Sequence, residues 1–314
     1  MIVARSLDEL QEGGPSVVTV GTFDGLHAGH RQIVKRLKNR SRELKARSVL
    51  VTFDPHPREV VGRGPVQMLT TIEERISLLQ PFEVDATLVL RFTFAFSRQT
   101  PREFYERFIV DGLQACEMIV GHDHMFGRDR EAGVGELNAM GKEFGFSVIE
   151  EPPCSVEGEI VSSSKIRDLL LRGDVATAAR WLGRYYALSG LVVRGDGRGR
   201  HLGFPTANVQ PEGPNKLVPA EGVYFVEIRI AGRQYFGMLS IGVNPTFKSD
   251  GRRTIEVFIF DFDDTVYGEP LQISFVRRLR GEQKFASEQD LVHQMRKDQE
   301  ECMKYIETWE HKVR

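Results

Sequence analysis

Cysteine is scarce. Cys116, Cys154 and Cys302 are the only three, far apart and without a CxxC pair. That spacing argues against a structural zinc site and a disulfide framework, and it fits a reducing cytosol. No apolar run approaches about 18 residues, so no membrane span is expected. The first ten residues carry Arg5, Asp8 and Glu9 without an apolar stretch, so no signal peptide is expected either. A cytoplasmic protein is the expectation. Neither charge sign dominates, with 42 basic and 44 acidic residues and a net charge of -2. Delocalised electrostatic binding of nucleic acid is therefore disfavoured. Internal repeats and low-complexity tracts are lacking too.

What remains is a globular composition over 314 residues, 41% hydrophobic and 27% charged. That length fits two domains. In the first half, strands alternate with helices. Val17–Val20, Ser48–Phe53, Ala86–Phe92, Cys116–Val120 and Phe146–Glu150 read as strands. Ile33, Val34, Leu37 and Leu44 recur at helical spacing. Thr70 and Glu73 read as a capping box, and Thr100, Pro101 and Glu103 as a second helix start. Such alternation predicts crossover units and a parallel sheet. After about Arg184 the texture changes. Leu188–Arg194, Val223–Ile230, Gln234–Val243, Thr254–Phe262 and Leu271–Arg277 read as closely spaced strands, with a tight hairpin at Ala231-Gly232. An antiparallel barrel follows. A terminal helix is capped by Ser287 and Asp290 and carries an apolar stripe from Leu291 through Met295, Cys302 and Ile306 to Trp309. The expected fold class is α/β plus all-β, with domains at 1–184 and 185–314.

Between the first strand and the first helix lies Gly21-Thr22-Phe23-Asp24-Gly25-Leu26-His27-Ala28-Gly29-His30. This is the switch-point position where open α/β sheets bind nucleotides. Gly21 and Gly25 let backbone approach phosphates. His27 and His30 share one face of the first helical turn, where free amides and the helix dipole favour anions. Two imidazoles there suit charge building on a triphosphate. Alone, they read equally as capping or solvent-facing histidines. Ser162-Ser163-Ser164-Lys165-Ile166-Arg167 places hydroxyls at a helix start with a guanidinium one turn on, a set that suits phosphate oxygens. Alone, a serine run is a plain helix cap.

In the second half, Gly195, Gly197 and Gly199 alternate with charge at Arg198 and Arg200. The loop matches neither a Walker nor a dinucleotide fingerprint, and a solvated hairpin is its plain reading. In the following Pro205-Thr206-Ala207-Asn208, Thr206 and Asn208 face the same way on extended backbone and offer hard oxygens to Mg²⁺. Glu256 shares a strand face with Thr254, Phe258 and Phe260. A carboxylate there suits a general base. Its other reading is a rim glutamate paired with Arg253 or Arg277.

The HxGH element with Ser162–Arg167 resembles the nucleotidyltransferase superfamily, which implies a Rossmann-like N-terminal domain. With Thr52-Phe53-Asp54-Pro55-His56-Pro57 and Gly121-His122-Asp123-His124-Met125-Phe126-Gly127, it resembles the adenylyltransferase half of the bacterial bifunctional riboflavin kinase/FAD synthetase family. That family usually has an aromatic where His124 stands and commonly Thr where Ser164 stands. The second half resembles riboflavin kinase through Gly190–Asn208, Pro219 with Gly222-Val223-Tyr224, Ile241-Gly242 with Pro245-Thr246-Phe247, Glu256–Asp261, Tyr267-Gly268, and Leu279-Arg280 with Glu282, Lys284 and Phe285. Asn is common in that family where Ser240 stands.

The resemblance implies two reactions. Riboflavin and ATP give FMN in the barrel, with Glu256 as base and Thr206 and Asn208 holding Mg²⁺. Gly195, Gly197, Arg198 and Gly199 cover the phosphates there, and Arg280 closes on flavin. FMN and ATP then give FAD and pyrophosphate in the first domain, through His27, His30 and Arg167. Gly21, Phe23, Asp24, Gly29, Asp123, Ser163 and Ser164 bind the nucleotide in that domain. Rival readings are a nucleotidyltransferase with another acceptor, a flavin-binding protein without turnover, and an RNA-binding regulator.

Overall fold

The computed structural model describes residues 1–10, 13–62, 66–125, 133–195, 198–243, 253–264 and 266–313. The chain forms two compact units, Met1–Ser163 and Ser164–Arg314.

In the first unit, β1 (Ile2–Ala4) is followed by β2 (Ser16–Val20), α1 (Ala28–Leu44), β3 (Arg47–Asp54), the short α2 (Pro57–Val60) and α3 (Ile72–Leu79). Then come β4 (Ala86–Arg91), α4 (Phe94–Ser97) and α5 (Pro101–Phe104), which runs into a π-helical segment Tyr105–Gly112. β5 (Ala115–Gly121), α6 (Val134–Phe144), β6 (Ser147–Glu151) and a small hairpin of β7 (Ser155–Val156) and β8 (Glu159–Ile160) complete it. Six strands form one sheet in the order β1-β4-β3-β2-β5-β6. Every pairing in it is parallel. β2, β3 and β4 are buried on both faces, as helix-covered parallel strands must be. From β2 the order runs outward in both directions, through β3 and through β5. The C-terminal end of β2 is therefore the switch point.

One expected helix start moves by a residue. The capping box belongs to Thr71 and Glu74, whose side chains exchange hydrogen bonds with each other's backbone N–H at 3.2 and 3.0 Å. Thr70 is not a cap because its hydroxyl is engaged elsewhere, as described below. The start at Thr100, with Glu103 three residues on and Pro101 at the first position, stands as expected.

In the second unit, α7 (Ser163–Leu171) leads from the first, and α8 (Val175–Leu182) precedes the barrel strands β9 (Tyr186–Val193), β10 (Ala207–Pro211), β11 (Gly222–Ile230), β12 (Arg233–Val243), β13 (Arg253–Ile259) and β14 (Pro270–Arg280). The one-turn α9 (Arg198–His201) lies between β9 and β10, and α10 (Glu288–Val313) ends the chain. The barrel closes as β10-β13-β12-β11-β14-β9, all antiparallel. Closure removes sheet edges. Ala231 and Gly232 both have positive φ, 49° and 75°, the geometry of a two-residue hairpin turn. Tyr224, Leu239, Ile255, Val257 and Ile273 fill the interior. α10 covers part of the outer face, where Cys302 packs in one cluster with Phe204, Phe225, Met238 and Phe260.

The helix pair before the barrel is tied to it. Ala220 N–H donates to the Leu170 carbonyl at 3.0 Å, and Arg278 donates to the carbonyls of Arg172 and Glu221. The change in strand texture near 183–187 thus marks the first barrel strand, and the compact unit begins earlier.

Candidate active sites

In the first unit, the loop after β2 is held in an unusual shape. Phe23, Gly25 and Leu26 have φ of 48°, 80° and 38°. Left-handed backbone is uncommon for residues with a β-carbon and persists only where surroundings enforce it. Here both side chains are buried, Phe23 2% and Leu26 1% exposed, against Val34, Leu37, Leu50 and Ile119. Asp24 is wholly buried and accepts from the backbone N–H groups of Leu69 and Thr70 and from the Thr70 hydroxyl, at 3.1, 2.9 and 3.1 Å. The Thr70 oxygen in turn accepts from Gly25 N–H at 3.0 Å. Asp24 therefore builds the loop from below. The Ser163 hydroxyl donates to the Asp24 carbonyl at 2.9 Å, which brings the first serine of α7 to the same turn.

His27 is the N-cap of α1, and its Nδ1 accepts from His30 N–H at 3.4 Å. The two imidazoles stack with centroids 3.7 Å apart, and Phe23 meets His30 edge-on at 5.2 Å. A β-carbon on Gly29 would lie 3.3 Å from the His27 ring and 3.5 Å from Cys154, a tight fit against the pair. Burial, His27 and Arg75, in that order, hold the His30 imidazole well below its ordinary pKa, so it is neutral at pH 7. Its Nδ1 is buried without a hydrogen-bond partner among the described residues. Asp123 lies on the turn after β5, and His124 Nε2 meets the buried Tyr105 hydroxyl at 3.1 Å. Burial pushes the Tyr105 phenol far up, so it stays a neutral hydrogen-bonding group. The position at which the family usually has an aromatic thus carries a ring engaged with the π-helical segment.

In the barrel, Asn208 on β10 pairs in register with Glu256 on β13, and Glu256 pairs with Ser240 on β12. Directly opposed residues point to one face. The Thr206 hydroxyl donates to Glu256 Oε2 at 3.1 Å. Thr206, Asn208 and Glu256 therefore converge, and Ser240 joins their face. The rim-pair alternatives for Glu256 are taken up otherwise: Arg253 meets Glu221 at 3.5 Å and Arg277 lies over the Tyr305 ring. The glycine loop sits directly on the oxygen donors. A β-carbon on Gly195 would fall 1.9 Å from Asn208 Nδ2, and one on Gly199 3.0 Å from Thr206 Oγ1. Gly195→Ala should therefore displace Asn208 and lower kinase turnover by about 10²-fold. Steady-state FMN formation measures it, with FAD formation from supplied FMN as the unaffected reference. Arg280 is locked by Asp298 on α10, with Nε 2.9 Å and Nη2 2.8 Å from the carboxylate, and it stacks over Phe285. Gly197, the side chain of Arg198, the segments 126–127 and 245–247, and the side chain of Trp309 lie outside the described residues.

The FAD synthetase family model matches residues 9–165, and the riboflavin kinase model matches 182–306. Curated relatives match over more than nine-tenths of their length. The bifunctional riboflavin kinase/FMN adenylyltransferase of Bacillus subtilis is 34% identical over 306 residues, covering 94% of each chain. That of Pseudomonas fluorescens is 36% identical, covering 91% of this chain and 92% of its own. The chain belongs to the bifunctional riboflavin kinase/FMN adenylyltransferase family. Within this family the Escherichia coli K12 protein is 34% identical, with 92% of this chain covered and 91% of its own. A solved structure from Streptococcus pneumoniae, described as a macrolide-efflux protein, superposes at a TM-score of 0.84 with 31% identity, covering 95% of this chain and 97% of its own. Among the described residues, no helix is long and apolar enough to cross a membrane.

Sequence reasoning missed Arg75, read Thr52 only as part of a motif and read Thr70 as a helix cap. Arg75 was legible in principle, because Ile72, Arg75 and Leu79 are the buried positions of α3. That spacing puts the arginine in the apolar stripe.

Proposed function

We propose that this chain phosphorylates riboflavin to FMN in residues 185–314 and adenylylates FMN to FAD in residues 1–184, using ATP in both. What supports this most is the convergence of Thr206, Asn208 and Glu256 on one barrel face beneath two glycines that approach their side chains. Glu256 accepts the proton of the ribityl 5′-hydroxyl as that oxygen attacks the γ-phosphate of ATP, the bond to the β,γ-bridging oxygen breaks and ADP leaves. The donor set of neutral oxygens beside one carboxylate fits a hard cation such as Mg²⁺, with phosphates and water completing the shell. Thr206 and Asn208 would hold it, and when bound it supplies charge neutralisation on the phosphates. Gly195, Gly197, Arg198 and Gly199 cover the nucleotide, and Arg280 with Phe285 lies against the flavin.

In the first domain, the FMN phosphate attacks the α-phosphate of ATP and pyrophosphate leaves. A phosphate is already anionic near neutral pH, so no general base is needed. His27 and His30 donate hydrogen bonds to the triphosphate. Ser163 adds a hydroxyl there. Gly21, Phe23, Asp24 and Gly29 shape the loop, and Asp123 contacts the nucleotide or flavin. The partners are small molecules, and the expected place of action is the cytoplasm.

The test is a time course with riboflavin, ATP and Mg²⁺, resolving the three flavins by chromatography. FMN rising before FAD is the expected result. FMN alone would remove the first-domain assignment, FAD from supplied FMN alone would remove Glu256, and no conversion would leave a flavin-binding protein.

A further inference from the structure

Arg75 is 3% exposed on the inner face of α3, and no motif singles it out. Its Nη1 donates to the Thr52 hydroxyl at 3.0 Å and lies 3.4 Å from the Phe53 carbonyl. The Thr52 hydroxyl then donates to the Thr22 carbonyl at 3.2 Å. A relay thus runs from a buried cation on α3, through β3, to the second residue of the nucleotide loop. The same loop is gripped by Leu69 and Thr70, immediately before α3, through Asp24. One segment, 69–75, thus bears on Thr22 through Thr52, and directly on Asp24 and Gly25, in the loop that leads to His27 and His30.

Burying a guanidinium is costly unless it is paired. Burial works against the Arg75 charge, and Asp24, then Asp54 and Glu73, work for it without a salt bridge among the described residues. Its Nε is buried with no hydrogen-bond partner among them. Few native proteins tolerate such orphaned groups without a reason.

We propose that Arg75 is a positioning residue for FMN adenylylation, fixing the Thr22–His30 loop from beneath with its charge facing His30. This rests on the reading of the first domain as an adenylyltransferase. The groups facing His30 are His27 from its own helix start and Arg75 from α3, and both hold its proton off. Asp24 from the loop, Asp54 from the end of β3 and Glu73 from α3 face Arg75. A neutral His30 donates through a single ring N–H, in an orientation fixed by stacking on His27. Losing the Arg75 charge leaves His30 easier to protonate.

Three full-length variants separate charge from geometry. Arg75→Gln removes the cation, Arg75→Lys keeps it without the planar fork, and Thr52→Val breaks the relay alone. FAD formation from supplied FMN and ATP is measured beside FMN formation from riboflavin, which serves as the internal reference. The His30 ring is titrated by NMR, assigned against His30→Gln. We expect Arg75→Gln to lose about 10- to 10²-fold in FAD formation and to titrate His30 at higher pH. Arg75→Lys should keep the His30 midpoint near wild type. Thr52→Val should lower FAD formation with the midpoint unmoved. An Arg75→Gln variant with FAD formation within about twofold of wild type, or with an unmoved His30 midpoint, overturns the proposal. A merely structural arginine would lower thermal stability and leave the midpoint of the folded protein in place. The titration requires no turnover, so a wild-type protein that made no FAD would defeat the adenylyltransferase reading and still leave Arg75 tested.

Discussion

Glu256→Gln should abolish most FMN formation, with kcat falling by roughly 10²–10⁴-fold, the range for losing a general base. The substitution is nearly isosteric. Its amide oxygen can still accept from the Thr206 hydroxyl, which lies 3.1 Å from Glu256 Oε2. The cross-strand neighbours Asn208 and Ser240 keep their register. KM values for riboflavin and ATP should therefore change little, because the lost interaction is a proton transfer made in the transition state. FAD formation from supplied FMN should be untouched. A kcat within a few-fold of wild type would reduce Glu256 to a structural acceptor for Thr206. Thr206→Val gives the contrast. It leaves the carboxylate but removes an oxygen from the proposed cation site, so its loss should be partly recovered by raising Mg²⁺, whereas that of Glu256→Gln should not.

The barrel site was legible because period-two alternation is strict. Thr206 and Asn208 share a face on any extended segment, and the carboxylate on β13 is opposed to Asn208 once the barrel closes. The pairing of β10 with β13 is a long-range fact that no local pattern carries. Residue 240 shows the same limit, since its place across from Glu256 emerges only once β12 and β13 pair. In the first unit, the switch-point loop and its histidines followed from a glycine-rich exit after a buried strand. The support of that loop did not. A threonine before an apolar helix reads as a cap, and that reading chose Thr70, one residue too early. Asp24 is the reason: its buried carboxylate takes Thr70 and leaves the capping to Thr71. The π-helical turn at Tyr105–Gly112 also gave no signal, because its apolar residues Tyr105, Phe108 and Ile109 fit an α-helical stripe equally well.

His27 carries two roles that substitution can separate, and the choice of replacement decides what is learned. It caps α1 by accepting His30 N–H, and its ring, 7% exposed, stacks on His30 at 3.7 Å. His27→Ala removes both roles. It should cost about 1 kcal/mol of stability for the lost cap and lower FAD formation by roughly 10²–10³-fold for the lost transition-state donor. His27→Asn restores a cap, since asparagine ranks among the best residues at that position. It cannot reproduce the imidazole stack. The alanine variant should therefore unfold at lower temperature than wild type and the asparagine variant near it, while both remain deficient in FAD formation and normal in FMN formation. Thermal unfolding followed beside both assays distinguishes the cases. Recovery of FAD formation in His27→Asn would make the residue a helix cap and move the burden of the chemistry to His30, whose Nδ1 is buried with no hydrogen-bond partner among the described residues.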